Sequence, residues 1–343
     1  MIPGPMAFDL EAALAGVRGR GPCVILTHDN PDPDSMAAAE ALRALLEAEA
    51  GVACTIARGG IVGRAENRAM VSVLGLVHAD VGDIDLETFP LIALVDTQPE
   101  TGNNSLPVGH RVDIIVDHHP KRPGAARAAW CDIREDFGAS CTIAFSYLKQ
   151  RAVPISNTVA TAMLYAIKSE TRDLGRESSE HEFEAYSELL RLADLEKLYA
   201  IAEPKVPAEH FAALDRALRA AEVRGPLVTA NLGKLGYPDL VAEIADLLLP
   251  FDLAHWVLCI GQHQGAVYLS MRTDVEHAHA GSLMRGIVDG RGAAGGHGQI
   301  AGGRLHRPVT SDQELALVYG ELVTKLAGAL RISEAPRPLV PRE

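Results

Sequence analysis

At 343 residues the chain is long enough for two domains that each bury a core, and 48% hydrophobic with 22% charged residues excludes a disordered polypeptide. A formal net charge of -13 excludes a protein that tracks long duplex nucleic acid, because that needs a basic surface to displace counterions. It leaves room for short nucleotides held by metal and a few arginines.

The N-terminal stretch MIPGPMAFDLEAAL has no basic region followed by an apolar signal core, and no apolar run approaches a membrane span, so a cytoplasmic protein without a membrane partner is expected. The first half then alternates apolar runs with helical patterns: CVILTH at 23–28, a helix over 35–49, VACTIA at 52–57, LIALVD at 91–96 and VDIIVD at 112–117. That rhythm predicts a buried parallel sheet. Helical periodicity follows in CTIAFSYLKQ, TVATAMLYAIK and the stretch from 180 to 221.

At Arg224-Gly225-Pro226 the pattern breaks. A second α/β sequence begins with LVTANL, a helix over 239–248, and the runs WVLCIG and AVYLSM, which GQHQG joins as a hairpin. The glycine-rich GRGAAGGHGQIAGG precedes a last helix over 311–328. The reading is an α/β protein: an N-terminal doubly wound parallel-sheet domain over 1–195, a helical linker over 196–224, a smaller C-terminal α/β domain over 225–330 and a loose tail over 331–343. The active site is expected in the cleft between the two domains. The five cysteines form no CxxC pair, so neither a zinc knuckle nor a disulfide framework is expected.

The chemistry-bearing residues sit at strand ends. His28-Asp29-Asn30-Pro31-Asp32-Pro33-Asp34-Ser35 lies between a strand and a helix, where open α/β sheets bind ligands. A turn with a helix cap would explain these residues on their own. Asp96 ends a second strand, however, and Asp117-His118-His119 ends a third. Gathering so many carboxylates costs several kcal/mol unless cations neutralise them. Hard oxygens with imidazoles suit Mn²⁺ or a similar ion, and two such ions about 3.5–4 Å apart activate a bridging water toward phosphorus.

HDNPDPDS, LVDTQP, VDHHP and GGHGQIAGG, in this order, resemble the successive motifs of DHH/DHHA1 phosphoesterases, especially the NrnA-like group known as nanoRNase or pAp phosphatase. The resemblance implies that His28, Asp32 and Asp96 hold one metal and Asp34, Asp96 and His118 the other, with Asp96 as the bridge. It implies that His119 faces the scissile phosphate and that Asp117 orients its histidine neighbours. The family's fourth aspartate for the second metal is replaced here by Glu170, with Asp173 a weaker substitute. Arg272, Gly295, Gly296, His297 and Gly298 resemble the substrate-binding motif.

The resemblance thus implies two divalent ions, Mn²⁺ first and Mg²⁺ or Co²⁺ as substitutes, and hydrolysis of short oligoribonucleotides and of pAp. A homodimer is compatible with this reading. A linear or cyclic dinucleotide phosphodiesterase would use the same motifs, whereas a family II pyrophosphatase would need a basic SRK-type motif that is absent. From another class, a nucleotide-binding protein weakened at Glu170 is the alternative.

Overall fold

A computed structural model of the chain describes residues 8–206, 208–306 and 308–341, with backbone alone at Glu209 and His297. The chain divides into two compact units, Met1–Pro204 and Lys205–Glu343.

The first unit runs α1 (Leu10–Val17), β1 (Cys23–Leu26), α2 (Pro33–Leu45), β2 (Cys54–Arg58), α3 (Ala65–Leu74), β3 (Ala79–Asp80), β4 (Leu91–Val95), β5 (Ile114–Asp117), β6 (Trp130–Ile133), α4 (Ser140–Gln150), α5 (Asn157–Glu170), α6 (Glu180–Leu189) and α7 (Leu195–Ala202). Among the described residues its six strands are all parallel, in the order β3-β2-β1-β4-β5-β6. Strands β1, β4 and β5 are buried along their whole length, which explains why their sequences are unbroken apolar runs rather than alternating ones. Ile25, Ala93, Val95 and Val116 face the core built with α2, α4 and α5. Their neighbours Val24, Leu26, Leu94 and Ile115 face the other way, onto a smaller core closed by Ala125, Val81, Leu86 and Leu106 from turns and loops.

The chain leaves β1 toward β2 and β3 on one side and returns to β4 on the other, so the strand order reverses between β1 and β4. Leu26 pairs with Leu94 and Val95 with Val116, so β1, β4 and β5 deliver their following residues to one sheet edge.

Helix α2 starts at Pro33, whose missing N–H is one of the donors a first turn leaves unpaired anyway, and Asp32 caps it by accepting the Ser35 N–H at 2.9 Å. The helix expected over 35–49 is α-helical to Leu45 and continues as a π turn, Leu46–Ala50, that ends on left-handed Gly51. Among the described residues, the helical stretch from 180 to 221 is three helices. Asp194 accepts the Glu196 and Lys197 N–H groups and starts α7 afresh, and Pro204 follows the end of that helix.

The second unit comprises α8 (Ala208–Ala220), β7 (Glu222–Arg224), β8 (Leu227–Lys234), α9 (Leu240–Leu248), β9 (Trp256–His263), β10 (Ala266–Thr273), α10 (Ala280–Val288), β11 (Gly292–His297), β12 (Ile300–Leu305), α11 (Asp312–Ala329) and β13 (Arg337–Pro338). The sheet order is β11-β12-β10-β9-β8-β7-β13, antiparallel except between β8 and β9. The expected β9–β10 hairpin pairs Ala266 with His263. Strand alternation puts Val228, Val257 and Cys259 against α8 and α9, and Leu258, Ile260 and Leu269 against α10 and α11. Within 331–343, Arg337 and Pro338 pair with Val223 and Glu222.

The glycine-rich segment forms the β11–β12 hairpin. Gly296 has φ 139°, and a Cβ there would stand 2.2 Å from the Ile300 carbonyl oxygen, while a Cβ on Gly281 would meet the Gly296 carbonyl at 2.1 Å. Backbone packs directly on backbone where α10 begins. Gly296→Ala is therefore expected to destabilise this unit by about 2–5 kcal/mol, read as a lower urea midpoint of its unfolding. An unchanged midpoint would mean that the hairpin relaxes freely. Among the described residues no helix is long and apolar enough to cross a membrane.

Candidate metal centre

Three loops leaving β1, β4 and β5 meet at the carboxylate of Asp96. This residue follows β4 immediately, is buried, and has φ 57°, a left-handed conformation that aspartate tolerates better than most residues with a Cβ. The backbone thus turns there while the Asp96 N–H still donates to the Val116 carbonyl at 2.9 Å.

From the β1 loop, His28 Nε2 lies 3.5 Å from Asp32 Oδ2 and 3.5 Å from Asp96 Oδ2. Its Nδ1 is 2.9 Å from the Asp29 carbonyl, which orients the ring with Nε2 inward. From the β5 loop, His118 Nε2 stands 3.6 Å from Asp96 Oδ1 and its Nδ1 3.2 Å from the Phe137 carbonyl. His119 Nδ1 is 3.5 Å from Asp96 Oδ1 and 2.8 Å from Asp117 Oδ1, and Gln98 Nε2 donates to Asp117 Oδ2 at 2.6 Å. Asp117, expected to orient its histidine neighbours, bonds His119, and His118 Nδ1 lies against the Phe137 carbonyl.

Asp34, on the first turn of α2, is buried and accepts the Ser140 N–H at 2.7 Å and the Cys141 N–H at 2.9 Å. These are the otherwise unpaired amides at the start of α4, the positive end of that helix. Ser140 also donates its hydroxyl to Asp96 Oδ1 at 2.9 Å, so one fully buried residue braces two carboxylates. Ser140, Gln98 and the Phe137 carbonyl were not expected from sequence. The only local signal was Gly138-Ala139-Ser140 opening a helix.

Glu170 ends α5, and its carboxyl lies in the field of Asp32, His118 and Asp34. Asp173, the other substitute, is exposed and paired with Lys168. Of the two, Glu170 is the residue brought to the site.

The electrostatics are those of a cation site. Burial, then the charges of Asp34 and Asp32, push the Asp96 carboxyl well above the usual carboxylate range. Burial and the Asp32 charge raise Asp34 to about 6 against the opposing amide bonds. Burial and Asp32 raise Glu170 to about 7. Burial would depress His28, but Asp32 and Asp96 outweigh it and push the imidazole up to about 10. Burial would raise Asp32 and Asp117, yet His28 holds the first and His119 the second below the usual range. Burial, then the charge of His119, lowers His118. The bond to Asp117 raises His119 despite its burial.

The raised carboxylates, Asp96, Asp34 and Glu170, favour their protonated forms unless a cation stands in for the proton. Two overlapping groups of donors could each hold a metal ion. One triad is His28, Asp32 and Asp96 and another is Asp96, His118 and His119, each with ligand atoms within 4.8 Å of one another. The first is the trio expected for one metal. In the second, His119 Nδ1 is already bonded to Asp117, which leaves Nε2 as the ring's outward atom.

Since outer hydrogen bonds of metal ligands are typically worth about 10–100-fold in affinity, Ser140→Ala is expected to weaken Mn²⁺ binding by that factor. The helix itself should persist, as the Ser140 N–H is unaffected. Calorimetric Mn²⁺ titration reads this, and wild-type affinity would show that the Ser140 hydroxyl contributes nothing.

In the second unit, Arg272 is buried, with Nε bonded to Asp246 Oδ1 at 2.7 Å and Nη1 to Ser270 Oγ at 2.8 Å and the Met271 carbonyl at 3.0 Å. The arginine expected to grip phosphate is thus engaged by Asp246. Gly295 and Gly296 pair with Gly302 and Ala301 in the hairpin, and Gly298, at φ 43°, lies in its turn. The His297 side chain lies outside the described residues.

Residues 22–167 match the DHH family, N-terminal domain. An uncharacterised protein of Methanocaldococcus jannaschii is 33% identical over 288 residues, which is 83% of this chain and 58% of that protein. The A-adding tRNA nucleotidyltransferase of Geobacter sulfurreducens is 27% identical over 250 residues, 70% of this chain and 27% of the enzyme. The chain therefore spans little more than half of one relative and about a quarter of the other. Among solved structures, an exopolyphosphatase-related protein from Bacteroides fragilis aligns with 96% of this chain and all of its own (100%), at TM-score 0.69 and 13% identity. The exonuclease RecJ bound to manganese aligns over 97% of both chains at TM-score 0.50 and 17% identity. At these identities the structures speak for the fold, an α/β parallel-sheet domain followed by a mixed-sheet domain. With the motif residues gathered at the ends of β1, β4 and β5, residues 22–167 carry the likeness to the DHH family's N-terminal domain.

Proposed function

We propose that this protein is a divalent-metal-dependent phosphoesterase that hydrolyses short oligoribonucleotides and pAp. The observation that carries the reading is the convergence of His28, Asp32, His118 and His119 on the single carboxylate of Asp96. His28, Asp32 and Asp96 would hold one ion, and Asp34, Asp96, His118 and Glu170 the other, with Mn²⁺ the first candidate for both. Bound there, the ions would supply Lewis acidity to a phosphoryl group.

The chain's own residues do the rest. Asp117 holds His119 by Nδ1 and raises its affinity for a proton, which leaves Nε2 to face a phosphoryl oxygen. Ser140, the Asp29 carbonyl and the Phe137 carbonyl fix Asp96, His28 and His118 before substrate arrives. A preference for small anionic substrates is supported by the net charge of -13, which disfavours long nucleic acid.

The test is Mn²⁺-dependent turnover of pAp, a linear diribonucleotide, a short oligoribonucleotide, a cyclic dinucleotide and pyrophosphate in parallel. Rapid hydrolysis of the linear substrates and pAp is expected. Turnover confined to the cyclic dinucleotide or pyrophosphate would replace the substrate assignment. Metal and nucleotide binding with no turnover would replace the enzyme by a binding protein.

A further inference from the structure

Directly after Glu170 the chain takes a costly path. Arg172, Asp173 and Leu174 are consecutive left-handed residues, with φ 49°, 56° and 65°, and Glu177 follows at 46°. None is glycine, so each turns against its own Cβ and must be held there by its surroundings. Buried Thr171 supplies one clamp: its hydroxyl donates to the Ile167 carbonyl at 2.6 Å and accepts the Leu174 N–H at 2.9 Å. The Asp173 N–H bonds the Lys168 carbonyl at 2.9 Å, and the Arg176 N–H bonds the Thr171 carbonyl at 2.8 Å. At the far end the Glu177 carbonyl oxygen sits 2.1 Å from where a Cβ on Gly138 would stand, two positions before Ser140.

The turn lays Arg176 back against the end of α5. Its Nη2 donates to the Glu170 carbonyl at 2.9 Å, and its charge acts on the Glu170 carboxyl. Its Nε is buried without a hydrogen-bond partner. Among the described residues this guanidinium is bonded to a carbonyl and paired with no carboxylate, although Glu170 is its neighbour and Asp32 and Asp34 act on the same carboxyl. A buried donor without a partner is unfavourable and needs an explanation. The nearby carboxylates are committed, on the phosphoesterase reading, to cations. What meets both the leftover donor and the cations is an anion with several oxygens on one centre, which a guanidinium grips through paired N–H groups.

Resting on that reading, we propose that Arg176 binds the phosphoryl group of the substrate, as the guanidinium ligand that the first unit itself supplies. The experiment is calorimetric titration of inorganic phosphate into the Mn²⁺-loaded full chain, with Mn²⁺ content measured on the same samples, for wild type, Arg176→Lys and Arg176→Ala. Loss of a charged hydrogen-bond pair should weaken phosphate binding about tenfold or more in Arg176→Ala, less in Arg176→Lys, with Mn²⁺ content unchanged. Wild-type phosphate affinity in Arg176→Ala overturns the proposal. So does a parallel loss of Mn²⁺, which would make Arg176 a support for Glu170 alone, and so does a wild type that binds no phosphate. Failure of the phosphoesterase reading registers separately, as absent turnover by the wild type on the substrate panel, whatever the phosphate titration gives.

Discussion

On the proposed reading, Asp96→Asn is expected to lower turnover by about a thousandfold or more and bound Mn²⁺ from about two ions per chain to fewer than one, because a charge shared by both proposed sites would be lost while the shape is kept. Asparagine is the informative replacement. It accepts the left-handed backbone at φ 57° as readily as aspartate, so the loop after β4 stays in place, whereas alanine would add strain to the loss of charge. It also mimics the protonated carboxyl that burial and the Asp34 and Asp32 charges favour in the metal-free protein, so metal-free stability should not fall. Metal analysis by mass spectrometry, Mn²⁺-dependent turnover and a metal-free thermal midpoint together read the result. A variant that keeps both ions and its rate would mean that Asp96 is not the shared ligand, and the two triads would have to be reassigned.

The sequence exposes this site because His28, Asp96, His118 and His119 lie within two residues of strands that are buried on both faces. CVIL, LIALV and IIVD are visible as apolar runs; Asp96 and His118 stand directly after two of them, and His28 follows the third with one residue between. What supports the ligands is less visible, since it is made of backbone and of distant partners. Ser140 reaches Asp34 across 106 positions through an N–H that every residue but proline carries, and the Phe137 carbonyl that turns His118 has no side-chain signature at all. The β11–β12 hairpin was hidden for a different reason. Glycine and alanine carry no strand preference, and the segment is a strand pair because β10 templates β12 and α10 packs on the glycine backbone. Arg176 was hidden by the left-handed turn before it, which the sequence TRDLGR does not announce.

The metal-free protein should lose stability as pH rises from 5 to 8, and Mn²⁺ should restore it most at the upper end. In the fold Asp34 is raised to about 6, Glu170 to about 7 and Asp96 well above its ordinary value. Each therefore keeps a proton that the unfolded chain has already released, and that advantage disappears as pH climbs through the folded value. His28, raised to about 10, acts in the same direction above its ordinary imidazole value, because the unfolded ring gives up its proton first. His119, raised by its bond to Asp117 despite burial, acts in the same direction, and His118, lowered by burial and by His119, opposes them up to the ordinary imidazole value, as one group against five. Asp32 and Asp117 are lowered, so their contributions are already complete at pH 5 and do not change across the window.

Cations bind only the deprotonated carboxylates and neutral imidazoles, so each ion displaces these protons and binds more tightly as pH rises. At Mn²⁺ about a hundredfold above its dissociation constant the gain is about 2.7 kcal/mol per site, on the order of 5–10 °C in thermal midpoint for a domain of this size. Scanning calorimetry at pH 5 and pH 8, with and without Mn²⁺, should show the gap between the two forms widening toward pH 8. An equal gap at both values would mean that these carboxylates are already ionised in the metal-free fold, and that something other than a divalent ion neutralises them.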